Sequence, residues 1–339
     1  MANYDVVSGE QYRYALTNFR IAHEKVEEQR TQMQEQEKQV AILRARIALL
    51  EGTAADSQPR PGAKGQNSVD DFSIKNAASK LERLINRWAA DVVRTPPTHF
   101  NDIRQSALTD IFDGYPPEHS LYHYEATPIQ VQNLLRHAMS QLISEGIVNC
   151  LIVTDSPEAN IQLTRIHEHI FSRDATVASV WRRQTFSAAV DKCSPDMSRY
   201  FLSEHMPAIT ELLCPNNGDK YENTAMFPVL EAAYDFSRML HGAPSSSGTS
   251  MDAFYRAFVP ELGNILHPKQ VELVRRCLKS ERGEADKVGA TIFPGLVKVT
   301  RATPDAKGQV GDHIQTVVRR AQVICECSLE VAAGLQPAH

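Results

Sequence analysis

An unbroken heptad column of apolar residues near the start of the chain constrains the fold more than any other feature. The members of this column are Tyr12, Phe19, Val26, Met33, Val40 and Ile47. Three residues further on, the positions that complete a coiled-coil seam hold Ala15, Ala22, Gln29, Gln36, Leu43 and Leu50. Because side chains at these two heptad positions pack between helices, the pattern predicts a coiled coil with a polar centre.

Local signals set the ends of this helix. Ser8 and Gln11 match a capping box, which satisfies backbone N–H groups at a helix start. Gly52 suits the left-handed conformation that commonly ends a helix. The sequence therefore predicts one helix of about 42 residues, roughly 63 Å long at 1.5 Å per residue.

This helix is expected to bind protein, either a second copy of the chain or another partner. The predicted contact residues are Tyr12, Phe19, Val26, Met33, Val40, Leu43, Ile47 and Leu50. In a parallel pair, Arg46 would favourably face Glu51 of the second helix, whereas Lys25 would face Arg30. A single long helix packed on its own domain is the alternative interpretation.

A polar stretch after the helix divides the chain. Residues 52–70 combine Gly, Pro, Ser, Gln and Asn with few apolar side chains, which is typical of a flexible linker. The predicted parts are a coiled-coil helix at 1–51, the linker at 52–70, a helical domain with a C-terminal β hairpin at 71–328, and a tail at 329–339. The predicted fold class is mostly α.

Apolar residues recur at three- and four-residue spacing through most of the domain, which predicts a series of amphipathic helices. Trp88 lies in the first of these stripes, so its ring is expected in the core. Thr127 and Pro128 are typical of a helix start, as an N-cap and a first-turn residue. A later helix, after Ser156, has a stripe of Ile161, Leu163, Ile166, His169 and Ile170.

The C-terminal part of the domain changes character. Residues 288–301 and 316–327 are rich in Val, Ile and Thr, and a polar, glycine-containing stretch separates them. They predict a small antiparallel pair of strands. Before them, a helix is predicted through Val271, Val274, Cys277 and Leu278.

The apolar run at 147–153 permits two interpretations. A buried strand that ends near Asp155 and leads into a helix would be one unit of an α/β enzyme, with Asp155 as a catalytic residue. That fold needs several strand–helix repeats, and the neighbouring segments predict helices only. The prediction is therefore a buried helix, continuous or broken at Gly146, with the strand as the alternative.

Several histidine and cysteine residues have spacings that suggest a metal or redox role. His119 and His123 would share a helix face, but no ligand set at a recognisable spacing accompanies them. The His-Glu-His motif at 167–169 differs from H-E-x-x-H, which places both histidines of a zinc protease on one face. Cys325 and Cys327 would share a strand face as buried apolar residues or, alternatively, as a redox pair. No metal, cofactor or catalytic residue is predicted.

The charge of the chain bears on its partners. A formal net charge of −5 argues against nucleic-acid binding as the main activity, because phosphate contacts need an excess of Lys and Arg on some face. Three Arg doublets are candidates for contacts with phosphate or an acidic partner, with ordinary ion pairing as the alternative: Arg182-Arg183, Arg275-Arg276 and Arg319-Arg320.

The location of the protein is predicted from two expected absences. The first ten residues lack the basic start and apolar run of a secretory signal. The most continuous apolar run is far shorter than the roughly 20 residues that span a bilayer. A cytoplasmic protein without membrane association is expected, and a nuclear location stays open.

Three short motifs resemble segments of a group of fungal proteins of uncharacterised function. The motifs are Val180-Trp181-Arg182-Arg183, Phe293-Pro294-Gly295-Leu296-Val297 and Val318-Arg319-Arg320-Ala321. Those proteins have a coiled-coil or low-complexity N-terminal part and a helical domain that ends in FPGLV-like and RRAxV-like segments. The resemblance covers roughly residues 70–328, implies the same arrangement here, and implies no activity.

The sequence favours a noncatalytic interaction or scaffold protein. Its N-terminal helix would assemble chains, and its helical domain, in which no catalytic constellation is found, would bind a partner. The alternative is an α/β enzyme with a strand-turn-helix site at Asp155, which requires a strand at 147–153. Nucleic-acid binding through clustered Arg doublets is a third hypothesis.

Overall fold

The computed structural model describes most of the chain. The described residues are 9–50, 71–114, 125–189, 192–213, 226–242, 253–275, 285–301 and 313–327. The chain forms two compact units, Met1–Ala63 and Lys64–His339. The predicted linker at 52–70 and the predicted tail at 329–339 lie outside the described residues.

The first unit contains helix α1, Gly9–Leu50, which has 42 residues as predicted. Arg20 pairs with Glu24 at 3.3 Å and Arg30 pairs with Glu27 at 3.4 Å. Because these ion pairs are exposed, each contributes at most about 0.5 kcal/mol. Most of the stability of a protein helix comes from the packing of an apolar face. The exposure of the apolar side chains of α1 therefore indicates whether the helix requires a packing partner.

The second unit is mostly helical, as predicted. Its helices are α2 Asp71–Arg94, α3 Phe100–Ile111, α4 Pro128–Leu142, α5 Pro157–Arg173, α6 Ala175–Ala189, α7 Pro195–His205, α8 Pro207–Leu213 and α9 Phe227–Gly242. The Thr127 hydroxyl accepts from the backbone N–H of Gln130, whose side chain accepts from the N–H of Thr127, so the predicted cap of α4 is confirmed. Trp88 is 3% exposed, which confirms its predicted place in the core.

Helix α5 buries a different face from the one that its apolar stripe predicts. Ile161 and Ile166 are 51% and 46% exposed, whereas Asn160, His167 and Phe171 are buried. The polar His167 is tolerated inside because it accepts a hydrogen bond from Arg182 of the neighbouring helix α6. The predicted helix is confirmed, but of its apolar stripe only Leu163 and Ile170 pack partly against the core.

Residues 147–153 form no strand. Helix α4 continues as a π-helical turn, Ile143–Val148, and residues 149–152 follow as bends. Gly146 permits this path, because a Cβ atom there would lie 2.7 Å from the Nε2 atom of His205. The prediction of a buried helix is confirmed as far as Val148, the strand alternative is wrong, and Asp155 lies exposed at a bend.

Six strands form two three-stranded sheets in the described part of the chain. The strands are β1 Ala253–Phe258, β2 Val271–Leu273, β3 Val288–Phe293, β4 Gly295–Thr300, β5 Ile314–Arg319 and β6 Ala321–Cys325. The first sheet has the order β1-β4-β5 and is antiparallel throughout. The second has the order β2-β6-β3, in which β2 runs parallel to β6 and β3 runs antiparallel.

The predicted antiparallel pair is confirmed, but it is part of a larger and bent arrangement. Only Pro294 separates β3 from β4, and only Arg320 separates β5 from β6. The segments β3–β4 and β5–β6 therefore form one two-stranded ribbon that continues from one sheet into the other. Pro294 interrupts the ladder because proline has no backbone N–H to donate. The predicted helix through Val271 is wrong, since Val271 belongs to strand β2 and pairs with Ala321 of β6. Cys277 and Leu278 lie outside the described residues.

Helices and strands of the second unit share one core. Its largest cluster of buried apolar side chains joins the helices to Ala257, Phe293 and Leu296 of the strands. His137 of α4 accepts a 2.9 Å hydrogen bond at Nδ1 from the backbone N–H of Thr291 in β3. Burial lowers the pKa of His137 to about 3, so the neutral imidazole that this bond requires is the stable form.

Replacing Asn149 with alanine should lower the free energy of unfolding by about 1–3 kcal/mol. The Asn149 amide accepts from the Ala257 N–H at 2.9 Å and donates to the Ala257 carbonyl at 3.1 Å, as a neighbouring strand would. Without it, both backbone groups lose their partner. Urea denaturation measures the change, with the exposed Asn264→Ala as a control within about 0.5 kcal/mol of the unchanged protein. Equal losses in the two variants would contradict this role.

Candidate functional site

The predicted contact residues all lie on α1. They are Tyr12, Phe19, Val26, Met33, Val40, Leu43, Ile47 and Leu50. Phe19, Val26 and Met33 are 72%, 55% and 60% exposed. The other five side chains lie outside the described part of the structure. Where the predicted seam is described, it therefore presents large apolar side chains to solvent, and its pairing with another helix stays a prediction.

Apolar residues outside the predicted seam are also exposed on α1. Leu16 lies beside the seam, and Tyr14 and Ile21 form a second heptad pair on the opposite side of the helix. The seven-residue spacing of Tyr14 and Ile21 is the sequence signal that was available for them. A helix with two apolar sides over this stretch has room for contacts with more than one neighbouring helix.

The second unit contains an internal polar cluster around Arg182. This side chain is 4% exposed and donates three hydrogen bonds to three different elements. Its Nη1 atom donates to the His167 Nε2 atom at 3.1 Å, Nη2 to the Ala253 carbonyl at 3.0 Å, and Nε to the His241 carbonyl at 3.3 Å. Arg182 therefore ties α5, α9 and the start of β1 to its own helix α6.

The hydrogen bonds fix the protonation of the two histidines. Because His167 accepts at Nε2, its proton is on Nδ1; His241 instead donates from Nε2 to the Val148 carbonyl at 3.0 Å. Among the described residues, neither Nδ1 atom has a hydrogen-bond partner. The rings of Phe171, Trp181 and Phe254 surround His167, with the Phe254 centroid 5.2 Å away.

Burial sets the charges of this cluster. It lowers the pKa of Arg182 to about 9, with a further reduction from the charge of Arg183 and a partial offset from Tyr255. It lowers the pKa of His167 to about 3 and that of His241 well below its usual value, and Arg182 lowers both further. At neutral pH the cluster therefore holds one cation between two neutral imidazoles.

The cation is stabilised by backbone dipoles. The His241 carbonyl belongs to the last turn of α9, where a helix carries partial negative charge that favours a nearby cation. His167 and His241 are fully buried. The contacts of the cluster therefore support a role in joining helices and strands.

The other histidine and aspartate candidates that the structure describes, His169 and Asp155, do not converge on a site. His169 is exposed on α5, opposite the buried His167, so the His-Glu-His motif does not bring its two imidazoles together. Glu168 forms an ion pair with Arg256 of β1. Asp155 is exposed, and His119 and His123 lie outside the described residues.

The Arg doublets are dispersed among the described residues. Arg182 and Arg183 are buried, and Arg275 is exposed after β2 while Arg276 lies outside the described part. Arg319 contacts Glu82 at 2.7 Å and lies over the Phe293 ring, and Arg320 pairs with Glu272 at 3.8 Å. These ion pairs support the ordinary interpretation of the last doublet. Among the described residues, the buried first doublet does not share a surface with the exposed Arg275.

Comparisons with known proteins do not assign the chain to a family. No family model, curated protein or solved structure matches it. The resemblance to fungal proteins therefore stays a prediction. Within the described residues, no helix combines the length and apolar character needed to traverse a lipid bilayer.

Proposed function

We propose that this chain is a noncatalytic interaction protein that assembles with copies of itself through α1. The observation that carries the proposal is the exposed column of Phe19, Val26 and Met33 on a 42-residue helix. Assembly along α1 brings several copies of the second unit together, which suits a scaffold that binds a further protein.

The energetics of the exposed column support association. Phe19 and Met33 are 14 positions apart, which corresponds to about 21 Å along a helix. Burying a side chain of this size contributes about 1.5–3 kcal/mol, so three in one seam offset a useful part of the entropy cost of association. Large apolar side chains exposed along one side of a helix are a common mark of an interaction site.

A second copy of the chain is the proposed partner because the heptad repeat is self-complementary. In a parallel pair each column faces its own equivalent, and Arg46 faces Glu51 of the other copy. The exposed Gln29 and Gln36 interrupt the seam, and Lys25 opposite Arg30 is unfavourable. The assembly is therefore expected to be reversible at micromolar concentrations.

The substitutions Phe19→Glu and Met33→Glu, made together, should convert the assembly to a monomer. Each would place a carboxylate in an apolar seam, where burial of an unpaired charge is strongly unfavourable. The matched control is Thr31→Glu with Gln34→Glu, which adds the same number of charges outside the seam and more than two helical turns after Ile21. Sedimentation of the full chain at micromolar concentration measures the mass.

Two outcomes separate this proposal from its competitors. Gln29→Leu with Gln36→Leu should strengthen the assembly, because both changes add apolar contacts at the weak centre of the seam. An unchanged protein that sediments as a monomer, with a mass that none of these variants alters, would falsify self-assembly. Helix α1 would then have to bind a partner other than a second copy of this chain.

A further inference from the structure

Three buried side chains with metal-binding atoms meet at one end of the second sheet. Asp286, Cys325 and Cys327 each offer one atom, a carboxylate oxygen or a sulfur, and these atoms all lie within 4.8 Å of one another. Asp286 is 2% exposed, Cys325 is fully buried and Cys327 is 8% exposed. We infer that these three side chains bind a zinc ion, independently of the assembly function proposed above.

The strand pairing explains why the three residues meet. Val288 of β3 pairs with Cys325 of β6, so the residues just before β3 lie beside those just after β6. Two backbone hydrogen bonds hold this end together: the Glu326 N–H donates to the Lys287 carbonyl at 2.9 Å, and the Leu266 N–H donates to the Asp286 carbonyl at 3.3 Å. The site therefore stands on strand ends that the backbone fixes in place.

Gly289 permits the close approach of the two strands here. A Cβ atom at this position would lie 2.9 Å from the backbone carbon and oxygen of Cys325 and from the Cα atom of Glu326. The register also shifts between Val288 and Ala290, which marks a bulge in β3. A larger residue at position 289 would therefore force this part of β3 and the Cys325 end of β6 apart.

The distances suit a single ion. The two sulfur atoms are 3.1 Å apart, within reach of an S–H···S hydrogen bond when both are thiols. Two thiolates on a tetrahedral zinc ion, each about 2.3 Å from the metal, lie about 3.8 Å apart. On binding, the two sulfur atoms would therefore have to separate by about 0.7 Å. The backbone N–H of Lys287 donates to the Asp286 Oδ1 atom at 2.7 Å and so orients the carboxylate.

The donor set selects the class of metal. Two thiolates disfavour Ca²⁺ and Mg²⁺, which take oxygen ligands, and a carboxylate is a poor partner for Cu(I). Zinc accepts sulfur and carboxylate ligands together and is commonly held by four donors. The three side chains supply three of these, which leaves the fourth position to water or to another ligand. The proposed ion joins the ends of β3 and β6.

Cobalt(II) titration of the full chain tests the site, because cobalt takes the place of zinc and gives thiolate-to-cobalt charge-transfer absorption. The reduced, chelator-treated protein should bind one equivalent with this absorption, and zinc should displace it. Cys325→Ser and Cys327→Ser should each abolish the absorption. Asp286→Asn should keep part of it and weaken binding by at least about tenfold, since even outer ligand partners have effects of that size.

Cys193→Ser is the matched control, because Cys193 is a half-buried thiol whose sulfur lies 3.4 Å from the Ser198 hydroxyl oxygen, outside this group. It should leave both stoichiometry and absorption unchanged. Reduced protein of the natural sequence that shows no such absorption overturns the proposal, whether or not the variants fold. So does absorption that survives in the Cys325→Ser/Cys327→Ser double variant, or a Cys325–Cys327 disulfide that persists under reductant.

Discussion

Lowering the pH from about 7.5 to about 5.5 should reduce the free energy of unfolding of the second unit by about 3 kcal/mol. His137 and His167 both have folded-state pKa values of about 3, and the pKa of His241 is also lowered by burial. In the unfolded chain these histidines take up protons near pH 6.5. Stability is therefore full above that pH and falls continuously as the pH drops towards 3.

The magnitude follows from the two histidines with pKa values of about 3. One pH unit below the unfolded pKa, each such group has lost about 1.4 kcal/mol of stabilisation. His241 and His205, whose pKa values burial also lowers, add to the loss. Asp110 and Glu145, whose pKa values burial raises, act in the opposite direction and offset part of it. Urea denaturation followed by tryptophan fluorescence suits this measurement, because both tryptophans, Trp88 and Trp181, belong to the second unit.

Two variants assign the pH dependence to buried imidazoles. In His137→Asn the amide oxygen can still accept from the Thr291 N–H, but no proton binds, so the loss between the two pH values should shrink by about 1.4 kcal/mol. His169→Gln removes an exposed histidine from the same helix as His167 and should change nothing. A stability that stays constant over this pH range would show that the three histidines are not buried as neutral groups.

The parts of the fold that depend on local sequence are the parts that sequence predicts. The cap at Thr127 is set by residues within one turn, so a pattern over a few positions is sufficient to predict it. The antiparallel pairing of the two Val-, Ile- and Thr-rich segments is likewise visible, because such segments have high strand propensity.

Longer-range contacts explain what the sequence leaves out. Strand β2 has only three residues, and Val271 and Val274 have a helical spacing; Val271 joins the sheet because it pairs with Ala321, 50 positions later. The division of the two-stranded ribbon between two sheets likewise depends on distant strands: β1 pairs with β4 in one sheet, and β2 pairs with β6 in the other. Tertiary pairing here outweighs local pattern.

The buried cluster was hidden because its residues are polar. The apolar stripe of α5 points to Ile161 and Ile166, yet Asn160 and His167 are the residues buried. A polar face enters a core only when its hydrogen bonds are made there. Asn160 bonds Thr154 just before the helix, and His167 accepts from Arg182 of α6. The seven-residue spacing of Asn160 and His167 and the four-residue spacing of His167 and Phe171 were the signals available.

Replacing Arg182 with methionine should lower the free energy of unfolding by about 3–5 kcal/mol, because three buried acceptors lose their donor at about 1–3 kcal/mol each, and the removal of a buried charge offsets part of this loss. Methionine retains the length and apolar contacts of the side chain but leaves the His241 carbonyl, the Ala253 carbonyl and the His167 Nε2 atom without their donor. Arg182→Lys keeps the charge but cannot donate to all three acceptors in the geometry of a guanidinium group. Its free energy of unfolding should lie between that of the natural protein and that of Arg182→Met. The exposed Arg165→Met on α5 is the control, with an expected change within about 0.5 kcal/mol.

The same substitution should alter the acid sensitivity, which distinguishes an electrostatic role from simple packing. After burial, the charge of Arg182 is the next largest cause of the lowered pKa values of both His167 and His241. Without that charge, each imidazole binds a proton in the folded state more easily, so less stability is lost on acidification. Arg182→Met should therefore be less stable at pH 7.5 yet lose less between about pH 7.5 and about pH 5.5 than the unchanged protein. If the free energy of unfolding of the two proteins had the same dependence on pH, Arg182 would contribute to the core through packing alone and not through its charge.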